Sequence, residues 1–178
     1  MKILGFDSQV FLAPLAGITD YPLRRLTASF GSGIMVSEMV AVNALRRKNP
    51  KTYRIADVRS EPYPVVVQLV GNDVGLFVEA AKLAEELGAY SLDINMGCPV
   101  KKIVNNGSGS ALMKDLSRAG EIIRAVVAAT PLKVSVKFRK GWDNNSVNAV
   151  EFARMCEDNG ASYVTVHGRT RSEFYAGK

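Results

Sequence analysis

Residues 10–26 read VFLAPLAGITDYPLRRL. An apolar run at 10–17 passes into a segment whose one glycine is Gly17, so the G-x-G-x-x-G turn that opens a dinucleotide-binding sheet is missing. Five more runs rich in Val, Ile and Leu follow: GIMVSEM (33–39), PVVVQLV (64–70), SLDINM (91–96), LKVSVKF (132–138) and SYVTVHG (162–168). Each has the length and composition of a buried strand. Helical patterns fall between the later runs, at 73–87 after Asn72, at 112–128 after Ser110 and at 146–158 after Asn144 or Asn145, and Gly88 and Gly160 end two of them. Strand followed by helix predicts parallel βα units, closed as an open doubly wound sheet or as a TIM (β/α)8 barrel. Without the glycine fingerprint after the first strand, the barrel is the preferred reading.

A full barrel takes about 250 residues and eight strands. This chain has 178 residues and six candidate strands, so the expectation is a barrel truncated to about six βα units, residues 1–178 forming one partial domain without an internal boundary. A hydrophobic content of 47% with 22% charged residues excludes a disordered chain, and no apolar run is long enough to span a bilayer. The start, MKILGFDSQV, places Asp7 and Gln9 where a secretory signal needs apolar residues, which predicts a cytoplasmic protein. Two cysteines, Cys98 and Cys156, give too little material for a disulfide framework, and a single histidine rules out a multi-histidine metal site, so no metal is expected.

Polar residues interrupt the apolar strands near their carboxyl ends: Gln68, Asp93 and Asn95, Lys137, and His167. That end of a barrel is where active sites are built. Each alone reads equally well as a satisfied polar residue at a strand end; their recurrence in successive strands favours a site. Lys137, between Val136 and Phe138, loses water on burial and needs an anionic partner, which a ligand could supply. Cys156, in FARMCED, sits at helical spacing and reads as core. Cys98 lies in DINMGCPVKK (93–102), where Gly97 would allow an unusual backbone geometry and Pro99 would stiffen the exit, fixing the direction of the thiol. A nucleophile would want a neighbouring base and a depressed pKa, which Lys101 and Lys102 could give; a proton donor needs only an ordinary protonated thiol. Both readings stay open on these residues.

The net charge of +6 is unevenly placed. Twelve of the 23 lysines and arginines fall in segments after the candidate strands: Arg46, Arg47, Lys48, Lys51, Arg54, Lys101, Lys102, Arg139, Lys140, Arg169, Arg171 and Lys178. The 73–87 helix instead carries Asp73, Glu79, Glu85 and Glu86 against Lys82. A positive rim around a barrel mouth fits a polyanion such as RNA, although charge runs are often only solvated surface.

Taken together, FLAPLAGITDYPLRRL, VQLVGND, LDINMGCPVKK, NNGSGSALM, VSVKFRKGWD and TVHGRTRSEFYAGK closely resemble the tRNA-dihydrouridine synthase family, most of all its bacterial B-type branch. The resemblance covers the chain from about residue 9. It implies an FMN-binding (β/α)8 barrel followed by a small helical domain, with the last two strands and that domain lying outside this chain. It further implies reduction of uridines in tRNA, with NADPH as reductant, hydride passing from reduced FMN to C6 of the base and a proton from Cys98 to C5. On the same resemblance Pro14, Leu15 and Ala16 lie against the flavin ring, Leu15 standing where methionine is common. Gln68 matches a contact to the isoalloxazine edge, Lys137 a cation beside the N1–C2 side, and His167 a residue near the flavin and its phosphate. Asn95 matches a polar contact to flavin or target base, and Arg139 and Arg169 resemble rim residues available to RNA. Three rival readings share parts of this pattern: an FMN barrel acting on a free pyrimidine or enone, a Schiff-base lyase using Lys137, and a non-catalytic RNA-binding fragment.

Overall fold

The computed structural model describes residues 10–31 and 33–176. Its strands are β1 (Phe11–Leu12), β2 (Ile34–Ala41), β3 (Val65–Val70), β4 (Ser91–Met96), β5 (Val134–Arg139) and β6 (Tyr163–His167). Its α-helices are α1 (Tyr21–Ser29), α2 (Val42–Arg46), α3 (Pro50–Ala56), α4 (Val74–Glu86), α5 (Lys101–Val104), α6 (Leu116–Ala129) and α7 (Ala149–Asp158), and a 3-10 helix spans Gly109–Lys114. Every pairing is parallel and the order is sequential, β1 through β6. A doubly wound sheet reverses its order part-way, and this one does not.

The sheet is also curled. Phe11 and Tyr163 stand on its first and last strands, yet their ring centres are only 5.6 Å apart. In a flat sheet the intervening spacings of about 4.8 Å would hold those strands roughly 24 Å apart. β1 and β6 therefore face one another across an interior, and the six strands with the helices between them are an arc of a TIM (β/α)8 barrel.

Period-two alternation gives the strands two different faces. Outward residues, among them Val67, Leu69, Leu92, Ile94, Met96, Val136 and Phe138, bury against the helices in the main core with Phe77, Ile122, Ile123 and Phe152. The rings of Phe138 and Phe152, 4.8 Å apart, tie β5 to α7; truncating either to alanine would cost about 3–5 kcal/mol. The inward face is layered. Phe11, Ile34, Val36, Val66 and Tyr163 close its lower part with apolar contacts. The next inward positions carry Gln68, Asp93 and Ser135, paired in register across β3, β4 and β5, and above them lie Asn95 and Lys137, again register partners.

Three expected boundaries differ. β1 is short because Pro14 has no N–H to donate and the chain turns at once, Ile18 and Thr19 both donating to the Leu15 carbonyl at 3.0 and 2.9 Å. The helix expected at 112–128 after Ser110 starts at Leu116 and is capped by Asp115, whose carboxylate accepts from the Arg118 N–H at 2.9 Å; residues 109–114 form the 3-10 helix instead. The helix expected from 146 begins at Ala149, because Gly141 bridges Val147 and the Asn148 and Ala149 N–H groups both donate to the Lys140 carbonyl. α4 is capped by Asp73 rather than Asn72, and Gly88 and Gly160 follow α4 and α7 at φ +87° and +91°, the left-handed exit glycine permits. α1, α2, α3 and α5 are not among the expected helices, although α1 and α3 start on readable signals, Asp20 before Pro22 and Asn49 before Pro50.

Candidate active site

At the carboxyl end of the strands the curled sheet encloses a cleft of about 270 Å³. Its lining includes Pro14, Leu15, Ala16, Gln68, Asn95, Cys98, Lys137, Arg139 and His167, nine of the ten candidate site residues. Arg169 is the exception and sits two residues beyond His167 on the following turn. Larger hollows lie elsewhere: two, of about 580 and 530 Å³, run along the outside of α7 and the β6 edge past exposed Val147, Val150 and Val166, and others of about 370 and 350 Å³ lie beside α1 and α3 and around residues 43–50. None of them is lined by a candidate site residue.

Hydrogen bonds tie the strand residues of the cleft together. Ser135 Oγ donates to Asp93 Oδ1 at 2.6 Å, and Gln68 Nε2 donates to Asp93 Oδ2 at 2.7 Å. Asn95 Nδ2 donates to Gln68 Oε1 at 2.9 Å. Asn95 Oδ1 in turn accepts from the backbone N–H groups of Gly97 at 3.1 Å and Cys98 at 2.9 Å. Burial pushes the Asp93 carboxyl up from its ordinary value, opposed by its bonds from Gln68 and Ser135 and by the charge of Lys137.

The Cys98 turn is also held from the other side. Ser110 donates to the Cys98 carbonyl through both its N–H, at 3.1 Å, and its hydroxyl, at 2.9 Å. Gly109, at φ +60°, lies so close that a Cβ there would come within 2.9 Å of the Cys98 carbonyl oxygen. Gly97 acts differently from expectation: its φ is not positive, and glycine is needed because a Cβ would meet the Phe138 Cα at 3.3 Å. The turn thus lies flat on β5. Burial raises the Cys98 thiol above its ordinary value, against smaller lowering from the Val100 N–H and the Arg139 charge. Lys101 and Lys102, expected to depress it, are exposed on α5 and are not among the causes. A half-buried thiol held protonated is a poor resting nucleophile and is in the protonation state a proton donor needs.

Lys137 is half-buried, and burial lowers its pKa, with Asp93 opposing and Arg139 reinforcing the shift. Among the described residues no carboxylate lies within 4.0 Å of its ammonium. His167 is held neutral, chiefly by burial and then by Arg139, Lys137 and Arg169. Its Nδ1 accepts from the Arg169 N–H at 3.1 Å, which leaves the ring proton on Nε2 as a donor. Arg139 is not the rim side chain expected: it is 3% exposed, and its guanidinium donates to the carbonyls of Gly97 at 2.9 Å, Thr170 at 2.8 Å and Phe174 at 2.9 Å. It braces the Cys98 turn against the segment after β6. The basic rim is accordingly thinner than the sequence count, since Lys140 pairs with Glu173 at 3.1 Å, Arg46 with Glu79 at 3.4 Å, and Lys178 lies outside the described residues. Exposed cations remain on and around α2, α3 and α5.

The family profile described as dihydrouridine synthase (Dus) matches residues 11–178. The chain belongs to the dihydrouridine synthase family. A probable tRNA-dihydrouridine synthase of Rickettsia conorii is 46% identical over 175 residues, 98% of this chain and 53% of the relative. One from Rhodobacter capsulatus is 45% identical over 98% of this chain and 54% of the relative, and tRNA-dihydrouridine synthase B of Pseudomonas aeruginosa is 42% identical over 96% and 52%. The chain spans about half the length of the curated relatives it matches. Among solved structures, Rhizobium etli pyruvate carboxylase superposes over 83% of this chain and 14% of its own with a TM-score of 0.57 at 14% identity, a likeness of fold alone.

Within this chain, sequence reasoning missed several groups that shape the site. Met39 reaches the cleft because the β2–β3 register shifts between Val36 and Met39, and Tyr175 lines it from the segment after β6. Neither the bulge nor the return of residue 175 leaves a local pattern to read. Asp93 is a polar strand residue with no assigned role in the sequence reading, Ser110, expected to start a helix, instead holds the Cys98 carbonyl, and Gly109 stands out in sequence only within NNGSGSALM. Cys156 is fully buried in the core as expected, its thiol pushed up to about 12 by burial. Among the described residues no group of three or more His, Cys, Asp or Glu could hold a metal, and no helix is long and apolar enough to cross a membrane.

Proposed function

We propose that the complete protein is a cytoplasmic, FMN- and NADPH-dependent tRNA-dihydrouridine synthase, and that residues 1–178 carry much of its catalytic barrel. The observation that supports this most is the gathering of nine of the ten candidate residues around one cleft in a chain of this family. The further barrel strands and helical domain are proposed to lie in the rest of the protein.

The cleft residues fit a flavin. Pro14, Leu15, Ala16 and Met39 offer an apolar wall, Gln68 an amide, and Lys137 an ammonium with no carboxylate within 4.0 Å among the described residues. Bound there, FMN would supply the hydride. Lys137 would stabilise negative charge on the N1–C2 side, and the Nε2 proton of His167 would donate toward the phosphate side. Asn95 and Arg169 are assigned to base and RNA; Arg139 contributes through the turn it braces and through its charge.

Cys98 completes the addition across the C5–C6 bond by giving its Sγ proton to C5. The thiolate left behind is stabilised by the Val100 N–H and the Arg139 charge, the two influences that already pull its pKa down, and it regains its proton from solvent. A lowered amine pKa at Lys137 would also suit a Schiff-base lyase, but the family assignment favours the flavin reading. The complete protein should purify yellow with a flavin spectrum and convert uridine to dihydrouridine in unmodified tRNA given NADPH. A colourless protein that binds tRNA without modifying it would overturn the proposal.

A further inference from the structure

Asp93 does not line the cleft, is 5% exposed, and has both carboxylate oxygens occupied, by Ser135 and by Gln68. A carboxylate can only accept hydrogen bonds. Gln68 must therefore turn its amide nitrogen to Asp93 and its oxygen away. Asn95 must then turn its nitrogen to that oxygen, which leaves Asn95 Oδ1 facing the N–H groups of Gly97 and Cys98. Reversing either amide would set donor against donor at one contact and acceptor against acceptor at the next.

We propose that Asp93 is a positioning residue for Cys98: its carboxylate fixes the polarity of the Gln68 and Asn95 amides and through them holds the turn that carries the thiol. The inference rests on the reading of Cys98 as the proton donor. A general acid acts only within hydrogen-bond reach of the atom it protonates, and a displacement of ~1 Å costs up to about 100-fold in rate.

Asp93→Asn keeps the volume and removes the imposed polarity. In the complete, flavin-loaded enzyme it should leave reduction by NADPH near the wild-type rate and slow reoxidation by unmodified tRNA roughly 10- to 100-fold. Introduced into Cys98→Ala, the same change should add no further slowing, because the group it positions is already gone. Equal slowing with and without Cys98 would mean a general structural effect and overturn the inference. A Cys98→Ala effect with no Asp93→Asn effect would overturn the positioning role alone, whereas a wild-type rate for Cys98→Ala would overturn the proton-donor reading and this inference with it. Should Asp93→Asn fail to fold, Ser135→Ala, outside the cleft, removes the donor that holds Asp93 Oδ1. It should fold and slow reoxidation by tRNA by roughly 10-fold only when Cys98 is present; a folded variant without that slowing overturns the inference.

Discussion

Lys137 and Cys98 are each shifted mainly by burial, with opposite consequences. For Lys137, lost hydration weakens the charged form, so an anionic ligand that restores a partner is favoured. In the complete enzyme, Lys137→Met should lower the flavin reduction potential by roughly 30 mV, equivalent to about 1.4 kcal/mol for a two-electron couple, since the reduced flavin loses its cation. Redox titration checks this; an unchanged potential would remove Lys137 from its assigned place. For Cys98, burial favours the neutral thiol, the form a donor needs. The tRNA half-reaction should therefore hold its rate through neutral pH and fall only as pH rises past the ordinary thiol value of ~8.5. A fall beginning below neutrality would show a depressed thiol and a different role. Gln68, Asn95, Lys137 and His167 were legible because a polar side chain in an apolar strand is a local signal, whereas Pro14, Leu15 and Ala16 were placed only by the family resemblance. Arg139 was misplaced on the rim because sequence marks its charge and not the three carbonyls that absorb it.

Gly109 and Ser110 anchor the Cys98 turn at the level of the element. Gly109→Ala would force a side chain into φ +60° and against the Cys98 carbonyl, and should cost about 1–3 kcal/mol of stability. It should also impair the tRNA half-reaction more than flavin reduction. Thermal melts and stopped-flow traces of the complete enzyme test both, and a variant as stable as wild type would contradict the assigned contact. The central strands and α4 were readable from apolar runs and Gly88, although the cap of α4 is Asp73 and not Asn72. The starts of α6 and α7 were not, because contacts distant in sequence decide them: residues 109–114 follow the Cys98 carbonyl, and Gly141 pairs with Val147. α2, α3 and α5 have 5, 7 and 4 residues, too few to repeat a helical pattern.

The whole molecule is an arc in which β1 and β6 face each other without pairing. The barrel could be argued from sequence because no phosphate-binding glycine turn follows the first strand; its curl required the contact between Phe11 and Tyr163. A protein made of these 178 residues alone has, among the described residues, a β6 edge that no strand covers and the exposed Val147, Val150 and Val166, and should self-associate. Sedimentation would reveal it, and a monodisperse, cooperatively melting monomer would contradict it. The central claim is that this arc brings a flavin and the Cys98 thiol to one uridine. It is tested most directly by separating the two half-reactions of the complete enzyme in Cys98→Ala. FMN should remain bound and be reduced by NADPH at a near-normal rate, while anaerobic reoxidation by unmodified tRNA slows by a factor on the order of 10²–10⁴. Reoxidation at the wild-type rate, or loss of FMN from the variant, would contradict the account.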